Sequence, residues 1–340
     1  MTTSANQRAI RSIMRKSNPP EELNILTFAT HERYEENLCK TGHNFYSLAI
    51  GKTWDTDYAP VPDNYHIIDA IPDHIDFDLI LTHTSCDRMF KAHQHLAGSD
   101  VTQGNKTGIP ILRHTHVLPD ARFDVPSQVV AFRQYPRDKD SFISAYNMAQ
   151  WEAADASVVE HGVDTEFWRD LSDGGERDNA CLSVVNDWPN RDWCCGFNLW
   201  KQTTQDLPIK VYGKSPGFSE PAESTHHLRE IYQSSRIFYN TSLHSPVPSV
   251  LLEAMACGCA IVSTANCMIP EIIENGKNGL ISNDPQELRG FLDLLLKNED
   301  LAKELGANAR KTIVEKYNLK RFTDNWNKLF YSTINSYRNK

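Results

Sequence analysis

The 340-residue chain has no apolar run approaching the roughly 20 residues that cross a bilayer, so no membrane-spanning helix is expected. Its eight cysteines include no Cys-x-x-Cys pair. Cys194-Cys195 and Cys257-Gly-Cys259 are too close for ordinary disulfide or zinc spacing, so reduced thiols and a cytoplasmic setting are expected. No G-x-G-x-x-G follows the first strand candidate, which disfavours a nicotinamide-dependent Rossmann enzyme. Basic charge is not in excess. Thirty-five Lys and Arg stand against 44 Asp and Glu, a net charge of −9, which argues against a large nonspecific nucleic-acid surface but not against a local basic groove. Internal repeats and low-complexity tracts are also missing.

What is present fits a globular enzyme of two domains: 340 residues, 40% hydrophobic and 10% aromatic. The leader 1–21 carries Arg8, Arg11, Arg15 and Lys16 and reads as a flexible basic arm before Asn18-Pro-Pro. Apolar strand runs then alternate with helical patterns. Strands are expected at 23–28, 45–50, 65–68, 77–82, 110–116 and 128–132, with helices at 30–40 and 140–149. In the second half, strands are expected at 157–159, 181–185, 209–212, 236–239, 260–262 and 279–281. Helices are expected at 228–234, 270–274, 284–296 and 299–317, and another after Asn318 with Phe322, Trp326, Leu329 and Phe330 on one face. The segment 186–192 reads as a long loop. This alternation predicts two α/β domains.

The stretch 240–263 concentrates the chemistry. It reads as a loop, a helix with Ser249 as N-cap, a stop at Gly258 and a buried strand. Unpaired N–H groups at such a helix start attract phosphate, and Glu253, one turn further, can accept hydrogen bonds from paired sugar hydroxyls. An ordinary buried helix with one Glu at its edge fits the same pattern. In the first half, His83, His114 and His116 leave strand ends where α/β sheets bind ligands. They lack a carboxylate or cysteine that would complete a metal-ligand spacing, and a single His bonding a sugar hydroxyl or leaving phosphate is the preferred reading. Asp138-Lys-Asp140 has the form of a metal-binding pair but reads better as a solvated turn and helix cap.

From Ser157 to about Tyr317 the chain resembles the family-4 retaining glycosyltransferases of the GT-B fold. The resemblance rests on His161-Gly-Val-Asp-Thr-Glu-Phe, Leu252-Glu-Ala-Met-Ala-Cys-Gly-Cys-Ala-Ile-Val, Pro270 to Ile281 and Leu305-Gly-Ala-Asn-Ala-Arg310, in order. The first half matches more weakly, at Gly42-His43, Asp78 to His83 and Pro110 to His116.

The resemblance implies two Rossmann-like domains facing across a cleft: an acceptor domain at 22–155, a nucleotide-sugar donor domain at 156–317, and a final helix at 318–340 returning to the first. It implies a retaining, metal-independent transferase that uses a nucleoside-diphosphate sugar such as a UDP- or GDP-sugar, with no cofactor. Glu253 then matches the ribose-binding Glu. Ser245 stands where the family has a second Glu that contacts the sugar. Backbone N–H groups of Ser249 and Val250 meet the phosphates. The family's Arg and Lys that clamp the diphosphate fall on Asn186 and Arg191, with Gly213 and Lys214 nearby and Lys214 a replacement cation. His116 matches the His beside the reacting centre. The acceptor hydroxyl stays open between a polysaccharide, a lipid at a membrane surface that the protein meets peripherally, and a hydroxylated DNA base, the last two suggested by the basic arm. A GT-B UDP-sugar epimerase and a non-catalytic sugar-nucleotide-binding relative are the alternatives.

Overall fold

The computed structural model describes residues 20–83, 96, 105–170 and 176–339. The basic residues of the leader lie outside these. The chain divides into two compact units, one running to Glu160 and resuming at Phe322, the other spanning His161 to Arg321.

The first unit holds a seven-stranded sheet. Its strands are β1 (Asn24–Thr27), β2 (Asn44–Leu48), β3 (Tyr65–Ile68), β4 (Leu79–His83), β5 (Ile111–Thr115), β6 (Lys139–Phe142) and β7 (Ser157–Val158). The order is β3-β2-β1-β4-β5-β6-β7, and every pairing is parallel. β4 and β5 are buried along their whole length, as strands covered on both faces must be. Because β7 is the edge strand of this sheet, the unit ends at Glu160, beyond the 155 expected.

Two sequence expectations fail here. Residues 128–132 are not a strand but lie in helix α2 (Val125–Gln134), following α1 (Glu32–Cys39). Asp124 caps α2, accepting from the Ser127 N–H at 2.9 Å, and a proline occupies its first turn. Val129 and Phe132 then turn the same face inward. Residues 140–149 are not one helix. Lys139–Phe142 is strand β6, in register with Leu112 to Thr115, and α3 (Ala145–Gln150) starts only after Ser144, which caps it through the Asn147 N–H. Asp138 and Asp140 are therefore not a solvated turn. Asp138 accepts from Asn105 Nδ2 at 2.7 Å and from the Ile111 N–H at 3.0 Å. Asp140 pairs with Arg113, which is 1% exposed.

The second unit holds a five-stranded sheet. Its strands are β8 (Asp178–Val184), β9 (Ile209–Tyr212), β10 (Ser235–Asn240), β11 (Ala260–Ser263) and β12 (Leu280–Ile281). The order is β12-β11-β10-β8-β9, again all parallel. The segment 186–192 is not a simple loop. A single 3₁₀ turn (Pro189–Arg191) leads into α4 (Asp192–Cys195), and α5 (Phe197–Thr203) follows Gly196. Further on come α6 (Thr225–Ser234), α7 (Ser249–Ala256), α8 (Ile269–Ile272), α9 (Pro285–Lys297) and α10 (Glu299–Lys316). Trp188, Ile237, Tyr239, Val262, Leu292 and Leu305 anchor this unit's core.

The last helix, α11 (Leu319–Arg338), begins in the second unit and runs on within the first. Its Phe322, Trp326 and Phe330 are fully buried. Phe322 meets the Tyr34 ring edge-on, and Phe330 meets His43. Burying each such ring contributes about 1.5–3 kcal/mol, which holds the helix to that unit. No helix among the described residues is long and apolar enough to cross a membrane.

Candidate functional site

In an open parallel sheet, ligands bind beyond the carboxyl ends of the strands, where the strand order reverses. In the second unit the reversal falls between β10 and β8. The chain leaving β8 carries Asn186 and Arg191. The chain leaving β10 carries Ser245, Ser249 and Glu253. The sheet thus gathers both groups of sequence-predicted residues at one end.

The two connections are hydrogen-bonded together. The N–H groups of Leu243 and His244 donate to Cys194 O at 2.9 and 3.1 Å, and Thr241 Oγ1 donates to Cys195 O at 2.8 Å. Trp188, fully buried, donates its indole N–H to the same Cys195 carbonyl at 2.9 Å. Buried polar side chains finish the end of β10. Asn240 Nδ2 donates to Ser263 Oγ at 2.8 Å, and Ser242 Oγ donates to Asn240 Oδ1 at 2.8 Å. Gly196 makes the close approach of the two connections possible. It sits at φ 65°, and a Cβ there would fall 2.2 Å from Thr241 O. Gly196→Ala is expected to cost roughly 2–4 kcal/mol, from left-handed backbone strain plus the backbone clash. A shift of the denaturant midpoint measures it, and an unshifted midpoint would show that the two connections can part freely.

Helix α7 starts differently from the expectation. Ser249 is not the N-cap. Pro248 takes that position at φ −68° and ψ 117°, and no side chain caps the helix. Proline suits the extended cap backbone, which moves Ser249 one place into the helix. The first N–H groups of a helix have no intrahelical acceptor, so this end carries a positive dipole without a side-chain cap. Ser245, Ser249 and Val250 are half-buried around it, and Val247 packs inward. Glu253 is 6% exposed rather than at a helix edge. The buried Tyr232 hydroxyl of α6 donates to its Oε2 at 3.2 Å. The left-handed stop falls at Gly258, φ 77°, as its sequence position suggests.

Asn186, Gly213 and Lys214 form one ladder between the ends of β8 and β9. Lys214 N–H donates to Asn186 Oδ1 at 2.8 Å, and Asp187 N–H donates to Lys214 O at 2.9 Å. Only glycine fits at 213, where φ is 125° and a Cβ would lie 2.1 Å from Val185 O. The Asn186 amide is thereby a structural strap, and exposed Lys214 carries the charge beside it. Arg191 is exposed, its backbone fixed by bonds to Asp187 O and Trp188 O and its Nη1 3.4 Å from Asn186 O.

The first unit gathers three histidines at the carboxyl ends of β4 and β5. His83 Nδ1 and His116 Nε2 are 2.8 Å apart. His114, fully buried, uses one ring nitrogen with the Tyr34 hydroxyl at 3.0 Å and the other with Ser141 Oγ at 2.9 Å. Its role is to brace the strand ends. His116 is the more exposed of the three, just past the end of β5. Among the described residues, no group of three His, Cys, Asp or Glu side chains is arranged to hold a metal ion.

Sequence reasoning passed over Thr241, Trp188 and Tyr232 and set aside the Cys194-Cys195 pair. The signal for the last was visible as two adjacent cysteines before a glycine.

The architecture is a GT-B-like fold of two Rossmann-like units. A sucrose-phosphate synthase from Thermosynechococcus elongatus superposes over 93% of this chain and 100% of its own, with a TM-score of 0.68 at 13% identity. HepE from Anabaena, solved with UDP and glucose, superposes over 92% of this chain and 100% of its own, with a TM-score of 0.67 at 11% identity.

Within that fold, residues 218–312 match the family of glycosyl transferases group 1. The alpha-maltose-1-phosphate synthase of Mycolicibacterium smegmatis is 30% identical over 34% of this chain and 30% of its own length. The N-acetyl-alpha-D-glucosaminyl L-malate synthase of Bacillus anthracis is 31% identical over 47% of this chain and 40% of its own. These alignments thus span less than half of the relatives' length.

Proposed function

We propose that this chain is a retaining glycosyltransferase that moves a sugar from a nucleoside-diphosphate sugar to an acceptor hydroxyl. The observation that carries the reading is the end of the second sheet. An uncapped helix start, a buried carboxylate one turn on and two cations on the neighbouring turns lie around a single strand-order reversal. The family match over 218–312 and the sugar-transfer names of the relatives support it.

In this reading the N–H groups of Ser249 and Val250 take the diphosphate, and Glu253 takes the ribose hydroxyls. Arg191 and Lys214 offset the charge that develops on the leaving group. With two cations and a helix dipole at the leaving group, no metal is required. The C1–O bond to the diphosphate breaks through an oxocarbenium-like state, and the acceptor hydroxyl attacks the same face. Holding the reactants in that order supplies much of the rate. In the first unit, His116 is proposed to hydrogen-bond a sugar hydroxyl, its ring held by His83. Ser245 is proposed to face the transferred sugar. A hydroxyl there makes fewer and weaker bonds than a carboxylate, so sugar choice is expected to rest on this position.

A screen of UDP- and GDP-sugars for diphosphate release tests the reading, run with polysaccharide, lipid-vesicle and hydroxymethylated-DNA acceptors. Glu253→Gln is expected to raise the donor KM by roughly 10–100-fold, since a charge-assisted bond contributes about 1.5–3 kcal/mol. Unchanged donor binding and turnover in both Glu253→Gln and Glu253→Ala would remove the nucleotide from this site. Donor binding without release from any sugar nucleotide would make the chain a non-catalytic binder. Release of a 2-epimerised sugar would make it an epimerase.

A further inference from the structure

The Cys194-Cys195 pair lies where the two connections of the site described above are hydrogen-bonded together. The two sulfurs are 3.6 Å apart, near van der Waals contact. Cys194 is 4% exposed and Cys195 is half-buried. Their backbone carbonyls are the acceptors that hold the β10 connection: Cys194 O takes the Leu243 and His244 N–H groups, and Cys195 O takes Thr241 Oγ1. Five residues after His244, that connection becomes the first turn of α7.

We propose that Cys194 and Cys195 form a redox modification site. A small hydroperoxide closes them into a vicinal disulfide, and closure releases the Thr241–His244 segment. Three observations converge on this. The sulfurs are already adjacent. Both carbonyls of the ring-forming residues carry the loop. Gly196, immediately after the pair, allows the same contact, since a Cβ at that position would fall 2.2 Å from Thr241 O. Cys194 is also the better nucleophile of the two. The hydrogen bond from the Cys195 thiol, with Arg191 and His244 nearby, holds the Cys194 thiol below the ordinary cysteine range, while the same bond and burial push Cys195 up.

The chemistry balances. The Cys194 thiolate attacks the hydroperoxide, forming an S–O bond as the O–O bond breaks, and the displaced hydroxide or alkoxide takes a proton. The Cys195 sulfur then attacks the sulfenic sulfur; the S–S bond forms, the S–O bond breaks, and water leaves with the Cys195 proton. Two electrons pass from the two thiols to the peroxide. The eight-membered ring that results encloses the Cys194–Cys195 peptide. Adjacent Cα atoms are only about 3.8 Å apart across a trans peptide, shorter than the roughly 4.4–6.8 Å that disulfides prefer. The ring therefore cannot keep the helical backbone of α4, and the two carbonyls turn away from their donors. Such a strained bond is readily reduced, so the change is reversible.

The effect on donor binding rests on the reading of the second unit as a nucleotide-sugar site, whereas bond formation and loop release do not. The full chain is treated with about one equivalent of hydrogen peroxide, then with dithiothreitol. Peptide mass mapping is expected to find the Cys194-Cys195 peptide lighter by two hydrogens. Amide exchange at Leu243 and His244 should accelerate by at least ~10-fold and return after reduction. UDP affinity should fall by at least ~10-fold in the oxidised form. Cys195→Ser, which keeps size and polarity, should show none of these changes on oxidation. No disulfide at the pair, or a disulfide with unchanged exchange at Leu243 and His244, overturns the proposal. If exchange responds while UDP binds neither form, the redox site stands and the donor-site reading fails.

Discussion

Arg191→Ala is expected to lower turnover by roughly 10²–10³-fold, the usual cost of removing one fixed donor from developing negative charge. In the proposed reading the residue serves that task without being part of the core. Its backbone N–H is pinned by Asp187 O and Trp188 O at 3.1 and 3.0 Å, and Trp188 beneath it is fully buried. The guanidinium, by contrast, is exposed, with Nη1 3.4 Å from Asn186 O and the Cys194 thiol close by. Removing it costs little folding energy, so the melting temperature should stay near that of the native chain. The loss should fall mainly on kcat, because the charge on the diphosphate is larger in the transition state than in the bound donor. Arg191→Lys should retain part of the rate, keeping the charge and losing the planar fork. Steady-state diphosphate release measures all three. A kcat within about threefold of native in Arg191→Ala would mean that the leaving group is stabilised elsewhere.

Arg113→Ala should produce a large stability loss in the first unit. Arg113 is 1% exposed, and its guanidinium is held on every side. Nε and Nη2 donate to the two carboxylate oxygens of Asp140 at 2.7 and 3.0 Å, Nη1 donates to Phe132 O at 2.5 Å, and the guanidinium carbon lies 3.4 Å from the Phe132 ring centroid. Breaking a buried ion pair by removing one partner costs about 3–5 kcal/mol, because the other charge stays buried. Asp140 keeps Arg137, whose Nε is 3.0 Å away, and is 13% exposed, so the lower end, about 3 kcal/mol, is expected. That corresponds to a drop of roughly 6–12 °C in melting temperature for a unit of this size. Arg113→Met, which restores apolar volume, should not recover the loss, since Asp140 is still left behind. Thermal unfolding of the pair of variants decides it; a loss under about 1 kcal/mol in Arg113→Ala would mean that Asp140 rehydrates freely.

How much of this was legible beforehand differs by region. Strands such as Ile209–Tyr212 and Tyr65–Ile68 are short apolar runs between turn residues, and the sequence locates them closely. The capped helix at Pro285–Lys297 is equally plain, with Asp284 accepting from the Gln286 and Glu287 N–H groups. The segment 128–132 misleads because two adjacent valines suit a strand as well as a helix. The deciding signals, Asp124 and the proline after Val125, lie upstream of the run. The strand at Lys139–Phe142 is polar at its start, and its pairing with β5 and the Arg113–Asp140 ion pair make it a strand. The helices at 192–203 were hidden because Gly196 interrupts their period.

In the candidate site, Glu253 and the strand-end histidines stand out by residue type and position, and Arg191, Lys214 and the choice of His116 follow from the family resemblance. Their surroundings do not. Asn186 looked like a missing cation, whereas its amide straps Lys214, a residue 28 positions away. Ser249 looked like a cap, whereas Pro248 takes that place and leaves the helix start without a side-chain partner.

The sequence by itself determined the alternation of strands and helices, the two α/β units and the residues proposed for the site. These depend on periodicity and capping, which act over a few positions. Only the tertiary structure decided which residues meet: Cys194 with Leu243, Tyr232 with Glu253, His83 with His116 and Arg113 with Asp140. Those contacts follow from strand order and register in parallel sheets, where each pairing joins segments separated by a crossover and no local pattern encodes the partner.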